Sequence, residues 1–213
     1  MHKTKVLIAL ILLAAIIAAS VSIFFQLRTP QDHRTPPMDQ IIGEALAEEV
    51  IHALSGTGRI VLVTLEKGQS PELDKYVDAF KHRIYKTSIK VANTDEISSE
   101  KAGKYAPGSG MSAKRFVRIM RKYPPAQVIV SFVGTPDGED KELRDLKPPL
   151  PQFIAFSRAP DDIDELFNHN LLLAAIVPRF QFPAPGPEKP KTNREWFEKY
   201  YQIVRRDSDK PGK

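Results

Sequence analysis

Along residues 38–178 the apolar positions follow two rhythms, and the changes between them mark out the elements. Ile42, Leu46 and Val50 fall four apart, with Ile41, Ala45 and Leu54 widening the stripe, which predicts a helix from Met38 that Gly56 and Gly58 end. The run IVLVTL at 60–65 is apolar without alternation, the pattern of a strand covered on both faces. Ser70 and Pro71 supply an N-cap and a first-turn proline for a second helix, whose Leu73, Tyr76, Val77, Phe80 and Ile84 share one side. SIKVA at 88–92 is a weaker strand, and Phe116, Ile119, Met120 and Tyr123 stripe a helix that opens near Ser112. Further strands follow at 128–133, 153–156 and 171–177. A short helical piece is expected near 139–146, and PDDIDELF places Asp162 and Asp164 against the positive end of another helix dipole.

About five apolar strands separated by helices predict a three-layer α/β/α sandwich with a mainly parallel sheet. Right-handed crossovers make a flavodoxin-like order the simplest arrangement. In shape this resembles a single lobe of a periplasmic sugar-binding protein, although no motif of such a family is present. The α/β domain is assigned to residues 38–178.

What precedes it is an address. Residues 6–25, from Val6 to Phe25, are apolar save for Ser20 and Ser22, and a helix of that length spans about 30 Å of hydrocarbon. Lys3 and Lys5 hold the short N-terminus in the cytoplasm. Residues 1–27 are therefore expected to be a cytoplasmic stub and uncleaved transmembrane signal-anchor, and 28–37 a linker. The body is then periplasmic or otherwise extracytoplasmic. The competing expectation is a secreted protein cleaved near Ser20, since Ala18 and Ser20 stand in the −3/−1 arrangement. The apolar run continuing through Val21, Ile23, Phe24 and Phe25 argues against it.

Past the domain, prolines at 178, 183, 185, 187 and 190 keep 179–191 extended as a linker. In TNREWFEKYYQIVRR, Thr192 and Glu195 have capping-box spacing, and Trp196, Phe197, Tyr200, Tyr201 and Val204 share a broad side. An amphipathic aromatic helix is expected over 192–206, with 207–213 disordered. Its aromatic side either packs on its own domain or takes a protein partner. Self-packing is favoured, because large exposed apolar patches are rare on isolated domains.

Composition narrows the chemistry. The net charge is +5, of which only +3 lies beyond the leading segment, too little to argue for nucleic acid without a clustered basic surface. Cysteine is absent, which removes disulfides, thiolate zinc sites and thiol nucleophiles. The five histidines (His2, His33, His52, His82, His169) lack paired metal spacing, and no nucleophile elbow, dinucleotide fingerprint or phosphate loop occurs. No metal, no cofactor and no catalytic residue is expected, and an unrecognised hydrolase has only isolated carboxylates behind it.

In open parallel sheets ligands bind at the carboxyl ends of the strands. Those ends carry Glu66 and Lys67, then Asn93, Thr94 and Asp95, then Thr135 and Asp137, then Ser157 and Arg158, and last Arg179. Glu66, Asp95, Thr135, Asp137, Ser157, Arg158 and Arg179 are the candidate ligand-binding residues, although loops facing water are polar in any fold. Thr135-Pro136-Asp137-Gly138 reads first as a turn. YAPGSGMSAKR, at 105–115, reads as a connection ending in an ordinary cap at Ser112; anion binding at that helix start is the sharper version. The leading expectation is a membrane-anchored, non-enzymatic binding or assembly module. It would act on a protein partner or a second copy, with Trp196, Phe197, Tyr200 and Tyr201 as contact residues. The alternative is a receptor lobe for a small polar ligand at the strand ends.

Overall fold

The computed structural model describes residues 38–97, 108–125, 127–137, 143, 145–158, 163–179 and 190–206. The expected anchor at 6–25, the 28–37 linker, most of the helical piece near 139–146 and most of the proline-rich linker lie outside these residues. Among the described residues no helix is long and apolar enough to cross a membrane.

The elements in chain order are α1 (Met38–Ala53), β1 (Thr57–Leu65), α2 (Pro71–Ile84), β2 (Ser88–Ile97), β3 (Met111–Ser112), α3 (Ala113–Lys122), β4 (Val128–Ser131), β5 (Pro136–Asp137), β6 (Gln152–Phe156), α4 (Ile163–Asn168), β7 (Leu172–Pro178), α5 (Asn193–Tyr200) and β8 (Tyr201–Arg205). Six strands form the main sheet in the order β2-β1-β4-β6-β7-β8. The first five are parallel and β8 runs antiparallel to β7. The parallel part has the flavodoxin-like order.

The sheet is covered on both sides, and β6 shows how. Side chains alternate along a strand, so Phe153 and Phe156, three apart, point to opposite sides. Phe153 meets Phe116 of α3 edge-on at 5.0 Å, and Phe156 meets Tyr76 of α2 at 5.6 Å. Helices α2 and α3 therefore occupy opposite layers. Between them the central strands are sealed, with Ile60 to Val63, Ile129, Val130, Ile154 and Ala155 all inaccessible to water. Helix α1 shares the α2 layer. Gly43 lets the two approach, since a Cβ there would run into the Tyr76 carbonyl oxygen.

Three expectations are corrected. Strand β2 does not stop at Ala92 but runs to Ile97, because an edge strand half open to water accepts polar residues such as Asn93, Thr94 and Asp95. It carries Ala92 as an extra residue, a bulge between Val91 opposite Ile60 and Asn93 opposite Val61. The expected helix over 192–206 ends at Tyr200, where Tyr201 turns to φ −134°, ψ 161° and the chain becomes strand β8. The open edge of β7 takes Tyr201 to Arg205 as a partner, and YQIVR has the β-branched and aromatic content to comply. Third, Pro136 and Asp137 are not described as a turn: they form β5, which pairs with Met111 and Ser112 of β3.

Strand β8 is fastened by charge as well as by its ladder. Glu49 of α1 is only 6% exposed, and its two carboxylate oxygens accept from Arg205 Nη2 at 2.6 Å and Nε at 2.8 Å. Ladder and ion pair together hold β8 to the domain.

Candidate functional site

Strand β1 leads to β2 on one side, and the chain then crosses back to β4 on the other, so the topological switch lies between the carboxyl ends of β1 and β4. There Phe132 N–H donates to the Val63 carbonyl at 3.0 Å. The β4 end doubles back on itself: Ser131 Oγ donates to the Gly134 carbonyl at 2.7 Å and accepts from Gly134 N–H at 3.2 Å. Residues 108–111 are stitched across it. Gly108 N–H donates to Phe132 O at 3.1 Å, Gly110 N–H to Val133 O at 2.7 Å, and Met111 N–H to Thr135 O at 2.9 Å. Arg158 N–H donates to Gly108 O at 2.7 Å, which joins the β6 end to the same loop. Beneath it Thr135 Oγ1 and Ser157 Oγ lie 3.2 Å apart, both buried.

Above this floor sits a group that reaches water. Arg158 Nη2 donates to Glu72 Oε1 at 2.8 Å, and both side chains are 41% exposed. The Tyr76 hydroxyl donates to the same Oε1 at 2.6 Å. Burial first, then the hydrogen bond and charge of Glu72, hold the Tyr76 phenol well above its ordinary pKa, so it stays a donor. Ser70, whose Oγ accepts from Leu73 N–H at 3.3 Å, fixes the start of α2 and with it the position of Glu72. The result is a carboxylate acceptor beside guanidinium donors, at the carboxyl ends of three adjacent parallel strands. Such a pair can exchange water for the hydroxyls of a polar molecule.

The expected site residues separate into those near this group and those elsewhere. Thr135, Ser157 and Arg158 come together. Glu66 opens the turn toward α2 and its Oε2 accepts from Gln69 Nε2 at 2.7 Å. Asp95 lies within β2 rather than past its end, and accepts from Lys122 Nζ at 2.8 Å and the Tyr123 hydroxyl at 3.2 Å. Arg179 Nε donates to the Tyr201 carbonyl at 3.0 Å, which ties it to the tail. Asp137 contributes backbone to β5, and its side chain is outside the described residues. Glu72 and Tyr76 were not among the expected residues: one looks like an ordinary first-turn acid and the other like one more core position.

Of the aromatic contact residues, Phe197 and Tyr201 pack against the core, and Tyr201 lies 6.0 Å from the Phe156 ring. Trp196 and Tyr200 stack on each other at 5.0 Å, half-buried, on a helix with no buried residue. A groove of about 820 Å³ runs between α1, the end of α2, and α5 with β8. Its charges include the pairs Arg83–Glu48 at 2.5 Å and Arg194–Glu198 at 2.7 Å. The start of α3 has Ser112 at the N-cap without a side-chain cap hydrogen bond.

No family model matches the chain, and no curated protein does. Solved structures similar to it include a glucose-galactose binding protein, GanP, from Geobacillus stearothermophilus, at 11% identity and TM-score 0.49 over 82% of this chain and 62% of that one. The XylFII molecule is 18% identical, with TM-score 0.47, over 65% of this chain and 48% of its own. An ABC transporter solute binding protein from Burkholderia graminis, solved in complex with D-arabinose, is 20% identical with TM-score 0.46 over 65% of this chain and 47% of its own. The chain thus spans about half the length of most of these structures.

Proposed function

We propose that residues 38–206 form an extracytoplasmic, non-enzymatic binding lobe that takes a small hydroxyl-rich ligand at the carboxyl ends of its parallel strands. The half-exposed Glu72–Arg158 pair, set beside the β1/β4 switch and backed by the Tyr76 hydroxyl, carries this reading. Carboxylate oxygens accept and guanidinium nitrogens donate, so one pair satisfies both roles of adjacent hydroxyls. Thr135, Ser157 and the stitched 108–111 segment give the pair a rigid floor. A site open on one side buries less of a ligand than the 70–90% usual in closed pockets, so the affinity of the lone lobe is weak and a second body facing it would raise it.

The test is a titration of the soluble body with D-glucose, D-arabinose and a neutral polyol, read as a rise in melting temperature. Glu72→Gln and Arg158→Ala should each weaken the effect by about tenfold or more, the size expected for a charged hydrogen bond. Absence of any shift at saturating concentrations, with the body folded, would discard the receptor reading.

A second reading keeps the module but gives it a protein partner. The stacked, half-buried Trp196 and Tyr200 favour it, since such aromatics are common interface anchors.

A further inference from the structure

Helix α3 carries charges that work against its own stability. Its ten residues, AKRFVRIMRK, hold five cations and no anion. Phe116, Val117, Ile119 and Met120 are buried, which turns Lys114, Arg118, Arg121 and Lys122 to water and leaves Arg115 between. Lys114 and Arg115 stand in the first turn, where the helix dipole is already positive. Arg118 has cations four residues away on both sides, at Lys114 and Lys122, and three away at Arg115 and Arg121, so like charges meet along one side. Among the described residues only Lys122 has an acidic partner, Asp95 at 2.8 Å, and Arg115 Nε is buried without a hydrogen bond. The charge continues past the helix into a shallow cleft lined by Arg121, Lys122 and Lys147, three prolines and no acid. A surface that breaks several local rules at once, with Asp95 its one acidic partner among the described residues, is where function is expected.

We propose that the outer side of α3, together with Lys147, docks on anionic phospholipid headgroups of the membrane to which the chain is tethered. Charge sign requires an anionic occupant, and the address at the N-terminus selects the lipid. Residues 28–37 can span at most about 35 Å in any conformation, comparable to the diameter of a body this size. A linker of that length keeps the bilayer within reach of the basic side. Tethering raises the effective concentration of the surface, so a handful of exposed cations, each adding its own attraction, suffices. For an exported body nucleic acid lies on the wrong side of the membrane. The inference depends on the anchor but not on any ligand at the strand ends.

The chain has no cysteine, so Ser112→Cys, exposed just ahead of α3, accepts a single fluorophore. The full-length protein would be placed in nanodiscs of phosphatidylcholine alone or of equimolar phosphatidylcholine and phosphatidylglycerol, and quenched from the aqueous side. The label should be shielded only in the anionic discs, and exposed again at high salt. Lys114→Glu combined with Arg118→Glu should abolish the shielding while raising the melting temperature, because it relieves the first-turn charge and pairs position 118 with Lys122. That rise separates lost docking from lost folding. Equal accessibility in both discs, or shielding that survives the reversal, would overturn the proposal. Shielding by added polyglutamate in neutral discs, without shielding in anionic ones, would make the occupant an acidic protein segment and overturn it too.

Discussion

Deletion of residues 188–213 should lower the melting temperature of the soluble body by about 10–20 °C, the largest effect expected of any change outside the central strands. The deletion removes α5 and β8 together. Phe197, Tyr201, Ile203 and Val204 are packed against the core but only partly covered, so each contributes about 1 kcal/mol, below the 1.5–3 of full burial. A second loss is electrical. Arg205 grips both oxygens of the buried Glu49, and taking the guanidinium away leaves the carboxylate without its partner, a loss of about 3 kcal/mol. Deletion combined with Glu49→Leu should therefore recover several degrees over deletion alone. Calorimetry of the three proteins decides it. A change below about 2 °C for the simple deletion would mean that the tail contributes little to the domain, and would return α5 to the service of a partner.

Gly134→Ala should destabilise the body by about 3 kcal/mol, measured as a lower urea midpoint at unchanged slope. Gly134 has φ +117°, a conformation costly for any side chain, and its Cβ would strike the backbone of Gly110 and Gly108. The obstacle is main chain held by its own hydrogen bonds, so it cannot rotate aside. Gly68→Ala is the control: it has φ +88° but open space around the added carbon, and should cost only about 1 kcal/mol. Equal costs at the two positions would show that the loop over the β4 end yields freely. The same substitution should weaken ligand-dependent stabilisation, since Arg158 is held in place through the Gly108 carbonyl.

The interior of this fold was legible because its strands are covered on both sides. Runs such as IVLV at 60–63 and the stripes of α2 and α3 can satisfy only one arrangement, and all are buried as expected. What escaped lies at the two edges. Asn93, Thr94 and Asp95 look like loop because their polarity reports water, which an edge strand also meets. Tyr201, Ile203 and Val204 continue a helical spacing from Trp196, and nothing local reveals that β7 offers them a ladder instead. The candidate site divides in the same way. Arg158 follows from strand position, whereas Glu72 is recruited from another element 86 residues away. Net charge says nothing of clustering: averaged over the chain, five cations gathered on one helix leave little trace.

The bulge at Ala92 has a consequence for how the protein behaves when crowded. Strand β2 stands at the end of the sheet, and a long edge of this kind can template the addition of foreign strands, the first step toward fibrils. Templating needs hydrogen-bonding groups in even register along a flat ribbon. Ala92 throws that register out of step midway and increases the local twist, and the exposed Lys90 beside it would have to surrender its water to any incoming chain. The exposed Val91 is thereby placed where its apolar surface cannot be zipped into a dry stack. One surplus residue leaves the outermost strand soluble in its own right.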